Sequence, residues 1–424
     1  MMDRSEDSTS GIAAVPIVCL YQPIIDLRTG ETTGYEALAR WPSRPDLSPG
    51  EVFGSARDDG TLAALDRGAQ EAALHGACEA GLPGAYTLFI NVEADTSSSL
   101  SLTADVLAPE GDAGPGRVVI EITERALLVD PGRVLEIAEE ARALGWGVAL
   151  DDVGSNPDCL TMLNFVAPEI IKIDGPLTRT RRPTPVHTAT LAAIAAYIEA
   201  TPATELIAEG IETEADLEQA LALGATHGQG WLFGRPAPLP DVFSAVSNRM
   251  LPLTEVRNAP LSPPSEALKT MSPRIGRKSL LITLSRHLED MASTLRAPVT
   301  VLATFQDAAS FGPVVAERFS ALAATHPHAF VAAFGVDMPT HPVAGVVGVP
   351  LSADDNLVSE WTITVTGAHY FGALIARDLG DPPDDPDRRY EYTLTHDRSI
   401  VTTAARALMR RIHHRNDPAS QHDS

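Results

Sequence analysis

The sequence predicts an α/β protein. Its first part reads as a closed (β/α)8 barrel of the TIM type with one antiparallel strand near the N-terminus, and a second, smaller α/β unit follows. Three observations carry this reading. Eight short, β-branched apolar runs recur between about residues 15 and 248, and most are followed by an Ala/Leu/Glu-rich stretch of helical length. Seven of the runs place a polar side chain in or at the end of the strand: Glu36, Asn91, Glu121, Asp151, Lys172, Glu209 and Gln229. Barrels of this type gather such groups at their C-terminal rim. Only residues 26–33, with a Thr29-Gly30 turn, separate the first two runs. That is too short for a parallel crossover, so one of the two should run against the rest.

The elements follow in order. The strand candidates are IVCLYQPII (17–25), GYEALARW (34–41), TLFINVE (87–93), RVVIEIT (117–123), GVALDDV (147–153), EIIKID (169–174), ELIAEGI (205–211) and GQGWLFG (228–234). Helix-like stretches lie at 62–80, 131–144, 186–200 and 214–223. The periodicity then lapses, and four prolines in NAPLSPPSEALKTMSPR (258–274) suggest a linker over 249–277. The second unit, expected over 278–415, opens with Leu280, Leu281, Leu284, Leu288 and Met291 on one helical face. Strand-like runs follow at 299–305, 330–336, 343–351, 361–365 and 390–395. Asp397 reads as the N-cap of a last helix that buries Val401, Ala404, Ala405, Leu408 and Ile412. The ends, 1–14 and 416–424, read as disordered.

Composition narrows the function. The formal net charge of −24 argues against polymeric nucleic acid and anionic membranes as partners, because both attract a cationic face. The apolar stretch 12–25 is too short to span a bilayer, and three widely spaced cysteines have no metal-clamp spacing. These features lead us to expect a cytoplasmic protein. A lone Glu in a strand is usually an edge residue or half of an ion pair, and Asp-Asp before Gly is usually a turn. The ordered set at successive strand ends points instead to a hard cation and a phosphate ester. Carboxylates and an amide suit Mg2+ or Mn2+. Two such ions about 3.5–4 Å apart, bridged by an acid, clamp a phosphodiester for hydrolysis. Asp151-Asp152 is the natural bridge, Lys172 can hold an attacking water, and Gly228-Gln229-Gly230 permits close backbone approach.

These motifs carry a family resemblance. YQPIIDLRTGETTGYEALARW, FINVE, VVIEITE, ALDDVG, IIKID, AEGIET and QGWLFGRP together resemble the EAL-domain family, which hydrolyses cyclic di-GMP to linear pGpG. The resemblance covers about residues 17–242. It implies that Glu36, Asn91, Glu121, Asp151 and Asp152 are metal ligands, with Asp152 and Glu209 bearing on a second ion. It makes Lys172 the group that orients water, and Glu209 and Gln229 the rest of the catalytic rim. Gln22, Leu38, Arg40 and Asp174 would contact the dinucleotide, and Glu124 would brace the loop after the Asp pair. It also implies a homodimer through this domain. Active members commonly read DDFGTGYSSL where this chain reads DDVGSNPDCL (151–160). That departure leaves a catalytically weak or inactive cyclic di-GMP receptor as the alternative. Residues 278–412 resemble the DICT sensory domain through SRHLE, VLATFQ, EWTITVTGAHYFGALIARD and DRRYEYTLTHDRSIV. Trp361, His369, Tyr370, His396 and Arg398 are its pocket candidates, although packing or capping is the commoner role of such residues.

Overall fold

Period-two alternation organises the barrel. The computed structural model describes residues 16–94, 116–154, 160, 162–247, 250, 262–295, 298–325, 329–382 and 385–413. Eight strands close on themselves: β1 (Val18–Asp26), β2 (Thr32–Arg40), β3 (Thr87–Asn91), β4 (Arg117–Thr123), β5 (Gly147–Val153), β6 (Ile170–Ile173), β7 (Glu205–Ala208) and β8 (His227–Gly228). The antiparallel strand is β1, which runs against both β2 and β8, while all other neighbours are parallel. Its turn suits the sequence. Gly30 sits at φ +73°, and the Asp26 carboxylate accepts from the amides of Arg28 and Thr29. The eighth run departs from expectation: only its first residue, Gly228, pairs as strand, together with His227 before it. Gly230 packs directly on Ile211, and the chain after it folds into a turn with Phe233 N donating to Gly230 O.

Ile24, Phe89, Val119, Ala149, Ile170 and Ile207 form one buried layer inside the barrel, with Met250 packed among them. Side chains two apart on a strand share a face. The next inward position along β3 to β7 therefore brings in Asn91, Glu121, Asp151, Lys172 and Glu209. Outside lie α1 (Pro49–Asp58), α2 (Leu62–Glu79), α3 (Glu124–Val129), α4 (Pro131–Ala143), α5 (Leu163–Val166), α6 (Gly175–Thr178), α7 (Pro185–Ala200) and α8 (Glu214–Ala222).

The second unit contains β9 (Arg274–Arg277), α9 (Lys278–Thr294), β10 (Val299–Asp307), α10 (Pro313–Thr325), β11 (Ala329–Val336), β12 (Val347–Leu351), β13 (Glu360–Thr366), β14 (Phe371–Asp378), β15 (Arg389–Thr395) and α11 (Arg398–Met409). Its mixed sheet has the order β12-β11-β10-β13-β14-β15-β9. Two elements lie in the stretch expected as linker: β9 and the 3-10 helix Pro264–Lys269. An edge strand of four residues with Ile275 68% exposed carries no apolar alternation to read. Leu280, placed on the core face of α9, is 43% exposed, and the buried face is Leu281, Ser285, Leu288, Glu289 and Ala292. Asp397 caps α11 by accepting from Ile400 N. The expectations for residues 1–14, 155–159 and 416–424 lie outside the described residues, as does most of 249–261.

One apolar cluster joins the units. It contains Val134, Ala138, Leu163 and Val166 of the barrel's outer helices together with Leu302, Phe334, Leu351, Leu408 and Ile412 of the second unit. No helix among the described residues is long and apolar enough to cross a membrane.

Candidate active site

Lys172 is the centre of the polar layer. It is 0% exposed, and its Nζ lies 2.6 Å from Glu121 Oε1, 2.6 Å from Glu209 Oε1, 3.2 Å from Asp151 Oδ1 and 3.4 Å from Glu36 Oε2. Burial alone would lower the lysine's pKa, yet the charges of Asp151, Glu121, Glu209 and Glu36 outweigh it and hold the pKa well above the ordinary value. One cation thus faces four acids. Glu36 stays ionised against its burial, because Lys172 and hydrogen bonds from Gln229 and Asn91 lower its pKa. Those bonds are 2.6 Å from Gln229 Nε2 and 3.0 Å from Asn91 Nδ2. Glu121 is pushed well up by burial and by the Glu36 charge. Burial raises Glu209 to about 8, with Asp151 and Glu36 adding to the shift against Lys172.

This excess of acid fits a divalent cation. One oxygen each from Asp151, Asp152 and Glu209 lie within 4.8 Å of one another. Buried Glu121 Oε2 meets no hydrogen-bond donor. Hard oxygen donors with uncompensated negative charge are what Mg2+ or Mn2+ takes up. Asp152 reaches its place by an unusual route. Adjacent strand residues point to opposite faces, and Asp152 adopts φ +57°, a left-handed conformation that is costly for a residue with a side chain. Partial burial, followed by the Asp151 charge, raises its carboxyl to about 6. Asp152→Gly should therefore stabilise the metal-free protein by about 1 kcal/mol while weakening divalent binding. Unfolding in EDTA and a Mn2+ titration check both halves; a destabilised variant would show that the turn is unstrained.

The other predicted residues fall into two groups. Gln22 is part of the cluster: its Oε1 accepts from Gln229 Nε2 at 3.2 Å, and its Nε2 donates to Gly234 O. Glu124 accepts from Gly154 N at 3.2 Å and so holds the turn after the Asp pair. Leu38 and Arg40 lie farther along β2 toward the rim, half-buried, with Arg40 Nη1 donating to Ala39 O. Asp174 caps α6 through Leu177 N at 2.8 Å, a structural use of the oxygen expected to face the dinucleotide. In the second unit, Trp361 Nε1 donates to Ser285 Oγ, the Tyr370 and His396 rings meet edge to face, and exposed His369 joins neither contact.

Sequence reading missed Asp66. This buried carboxylate on α2 accepts from Glu93 N at 3.3 Å, two residues beyond Asn91, and from Gln70 Nε2 at 2.8 Å. The available signal was its position among Leu62, Leu65, Ala73 and Leu74 on the buried face of the helix. Burial raises its pKa from 3.8 to about 7. A carboxyl raised in the folded state keeps its proton longer than the unfolded chain does. Its penalty is absent below about pH 4, grows as the pH rises toward 7 and is constant above that. Asp66→Asn should therefore gain stability over the parent protein as pH rises from 5 to 8, by at most about 3 kcal/mol. Parallel denaturant curves at both pH values test this, and a pH-independent difference would mean that Asp66 titrates normally.

Two family profiles match the chain. A family profile described as EAL domain matches residues 10–236, and one described as sensory domain in diguanylate cyclases and two-component system matches residues 261–379. An uncharacterized protein of Mycobacterium tuberculosis is 31% identical over 255 residues, covering 58% of this chain and 40% of its own. The cyclic di-GMP phosphodiesterase RocR of Pseudomonas aeruginosa is 29% identical over 226 residues, covering 51% of this chain and 57% of its own. The chain thus spans about half the length of these curated relatives. The solved MucR phosphodiesterase in complex with c-di-GMP is 26% identical, covering 53% of this chain and 92% of that one, with a TM-score of 0.46.

Proposed function

The chain belongs to the EAL-domain family, and we propose that it hydrolyses cyclic di-GMP to linear pGpG with Mg2+ or Mn2+ bound at the barrel mouth. The observation that supports this most is Lys172 with its four carboxylates, because so many buried acids around one cation call for further positive charge. Glu36, Asn91, Glu121, Asp151 and Asp152 would hold the ions, with Glu209 beside the second. Bound there, divalent cations supply Lewis acidity toward the phosphodiester. Lys172 would donate from Nζ to the attacking water and keep it in line. In the metal-free site burial holds the Glu209 carboxyl near 8, and a cation beside it would take the place of that proton. Gln229 fixes the Glu36 carboxylate, and Gln22, Leu38 and Arg40 would seat the dinucleotide along β1 and β2. Glu124 keeps Gly154, and with it the Asp pair, in register. We read the second unit as a sensory domain that modulates the barrel, and the active species as a cytoplasmic homodimer through the barrel.

Incubation with cyclic di-GMP and Mg2+ or Mn2+, followed by product chromatography, tests the reading. Metal-dependent appearance of pGpG supports it. The changed sequence at 153–159 favours a second reading, a receptor that binds without turnover. Tight binding with no product under both metals would select that one.

A further inference from the structure

The helix that ends the described chain touches the barrel in two places, and both lead to the same strand. At its start, Arg398 Nη2 donates to Asn164 Oδ1 of α5 at 2.8 Å. The end of α5 is fastened to β5: Arg142 Nη2 donates to the carbonyls of Val166 and Ala167, and Arg142 pairs with Glu169. Glu169 Oε2 then accepts from Val148 N of β5 at 2.9 Å. At the far end of α11, Arg410 pairs with Glu139 of α4 and Arg406 Nη2 lies 3.4 Å from Glu139 Oε1. Ile412 O accepts from Gly132 N at 3.0 Å, and His413 Nδ1 lies 3.4 Å from Asp130 Oδ1. Asp130 caps α4 through Arg133 N and closes α3 through its own amide. The first residue of α3 is Glu124, which holds Gly154 directly behind Asp151 and Asp152.

The contact at Gly132 is tight. A Cβ there would stand 2.5 Å from Ile412 O, so only glycine lets the chain after the helix approach this closely. The opposite side of α11 belongs to the second unit. Val401 and Ala404 pack with Leu268, Ala373 and Ile375, while Ala405, Leu408, Met409 and Ile412 join the cluster shared with the barrel. A packed helix moves as a rigid body and carries a shift from one face to the other.

We propose that α11 is a strut that positions β5 and its Asp151–Asp152 pair, with Arg398 and the Arg410–Glu139 pair as positioning residues supplied across the two units. The proposal deepens the phosphodiesterase reading and rests on it, since it names the route by which the second unit acts on the site. A rearrangement of the sheet that displaces α11 alters the spacing of the two acids without touching substrate.

The test uses the full chain with Arg398→Ala, Glu139→Arg, Arg410→Glu and the charge-swapped double variant Glu139→Arg/Arg410→Glu. Mn2+ affinity is measured by calorimetry, kcat and KM on cyclic di-GMP by product formation, and docking of α11 by amide hydrogen exchange. Each single variant should loosen α11, weaken Mn2+ binding by about 5-fold or more and lower kcat by a similar factor, with KM nearly unchanged. The double variant should recover part of both losses, because Arg406 and Glu136 still face the exchanged charges. A loosened α11 with unchanged Mn2+ affinity and kcat overturns the proposal, as does a folded double variant that recovers nothing. The swap covers the case in which a single variant does not fold. If the parent protein binds Mn2+ but makes no pGpG, the phosphodiesterase reading fails, while the Mn2+ measurements still decide the strut.

Discussion

Lys172→Ala is expected to lower kcat on cyclic di-GMP by on the order of 10²–10³ and to destabilise the metal-free protein by about 3–5 kcal/mol. Both effects have one source. The ammonium is the cation shared by Glu36, Glu121, Asp151 and Glu209 at 2.6–3.4 Å. Without it, four acids, three of them buried and Glu209 half-buried, face one another, and they can relax only by taking up protons or by moving apart. Divalent cations neutralise the same carboxylates, so saturating Mn2+ should recover much of the lost stability. It should not recover the rate, because the donor we propose for the attacking water is gone. Lys172→Met separates charge from volume. It fills the same space, so a similar loss in that variant assigns the effect to the ammonium. Thermal unfolding with and without Mn2+, together with kcat, supplies the check. A rate near that of the parent protein would remove Lys172 from the chemistry.

The polar layer was legible because each member follows an apolar residue two positions earlier: Phe89 before Asn91, Val119 before Glu121, Ala149 before Asp151, Ile170 before Lys172 and Ile207 before Glu209. A period of two places all five inside the barrel without any knowledge of pairing. The distances were not legible. Lys172 reads as a single group that holds water, and only the closed barrel brings four acids onto it. Asp152 shows another gap, since two adjacent acids on one strand cannot share a face until the backbone turns left-handed. Asp66 lies on the apolar face of its helix, but carboxylates are so seldom buried that the residue type outweighs the position. In the second unit, the amphipathic pattern of α11 gives its existence and cap but not its partner. Both of its packing faces are made of ordinary aliphatic side chains and Met409, which carry no address. The prolines at 260–273 had a similar effect, suggesting a separable linker where the chain goes on to build an edge strand.

That last point changes what truncation should do. A proline-rich stretch invites a cut at residue 248, with the barrel expected to stand alone. The structure places Met250 in the apolar layer of the barrel with Ile24, Phe89, Val119, Ala149, Ile170 and Ile207, and Arg117 Nη1 donates to its carbonyl. A chain ending at 248 loses that side chain from a packed interior, and a deleted buried Met costs about 2–5 kcal/mol. A chain ending at 261 keeps Met250 and loses the second unit. Both cuts uncover the barrel residues that share a cluster with Leu302, Phe334, Leu408 and Ile412, and both remove the Arg398–Asn164 and Arg410–Glu139 contacts. The expected order of melting temperature is full chain, then 1–261, then 1–248, with the shortest also the most prone to associate through its exposed apolar face. Mn2+ affinity should fall in both truncations, because neither retains α11. Scanning calorimetry, light scattering and Mn2+ titration of the three chains resolve these steps. A 1–248 chain that matches the full protein in melting temperature and Mn2+ affinity would establish an autonomous barrel, and Met250 and α11 would then contribute nothing to its stability or to its metal site.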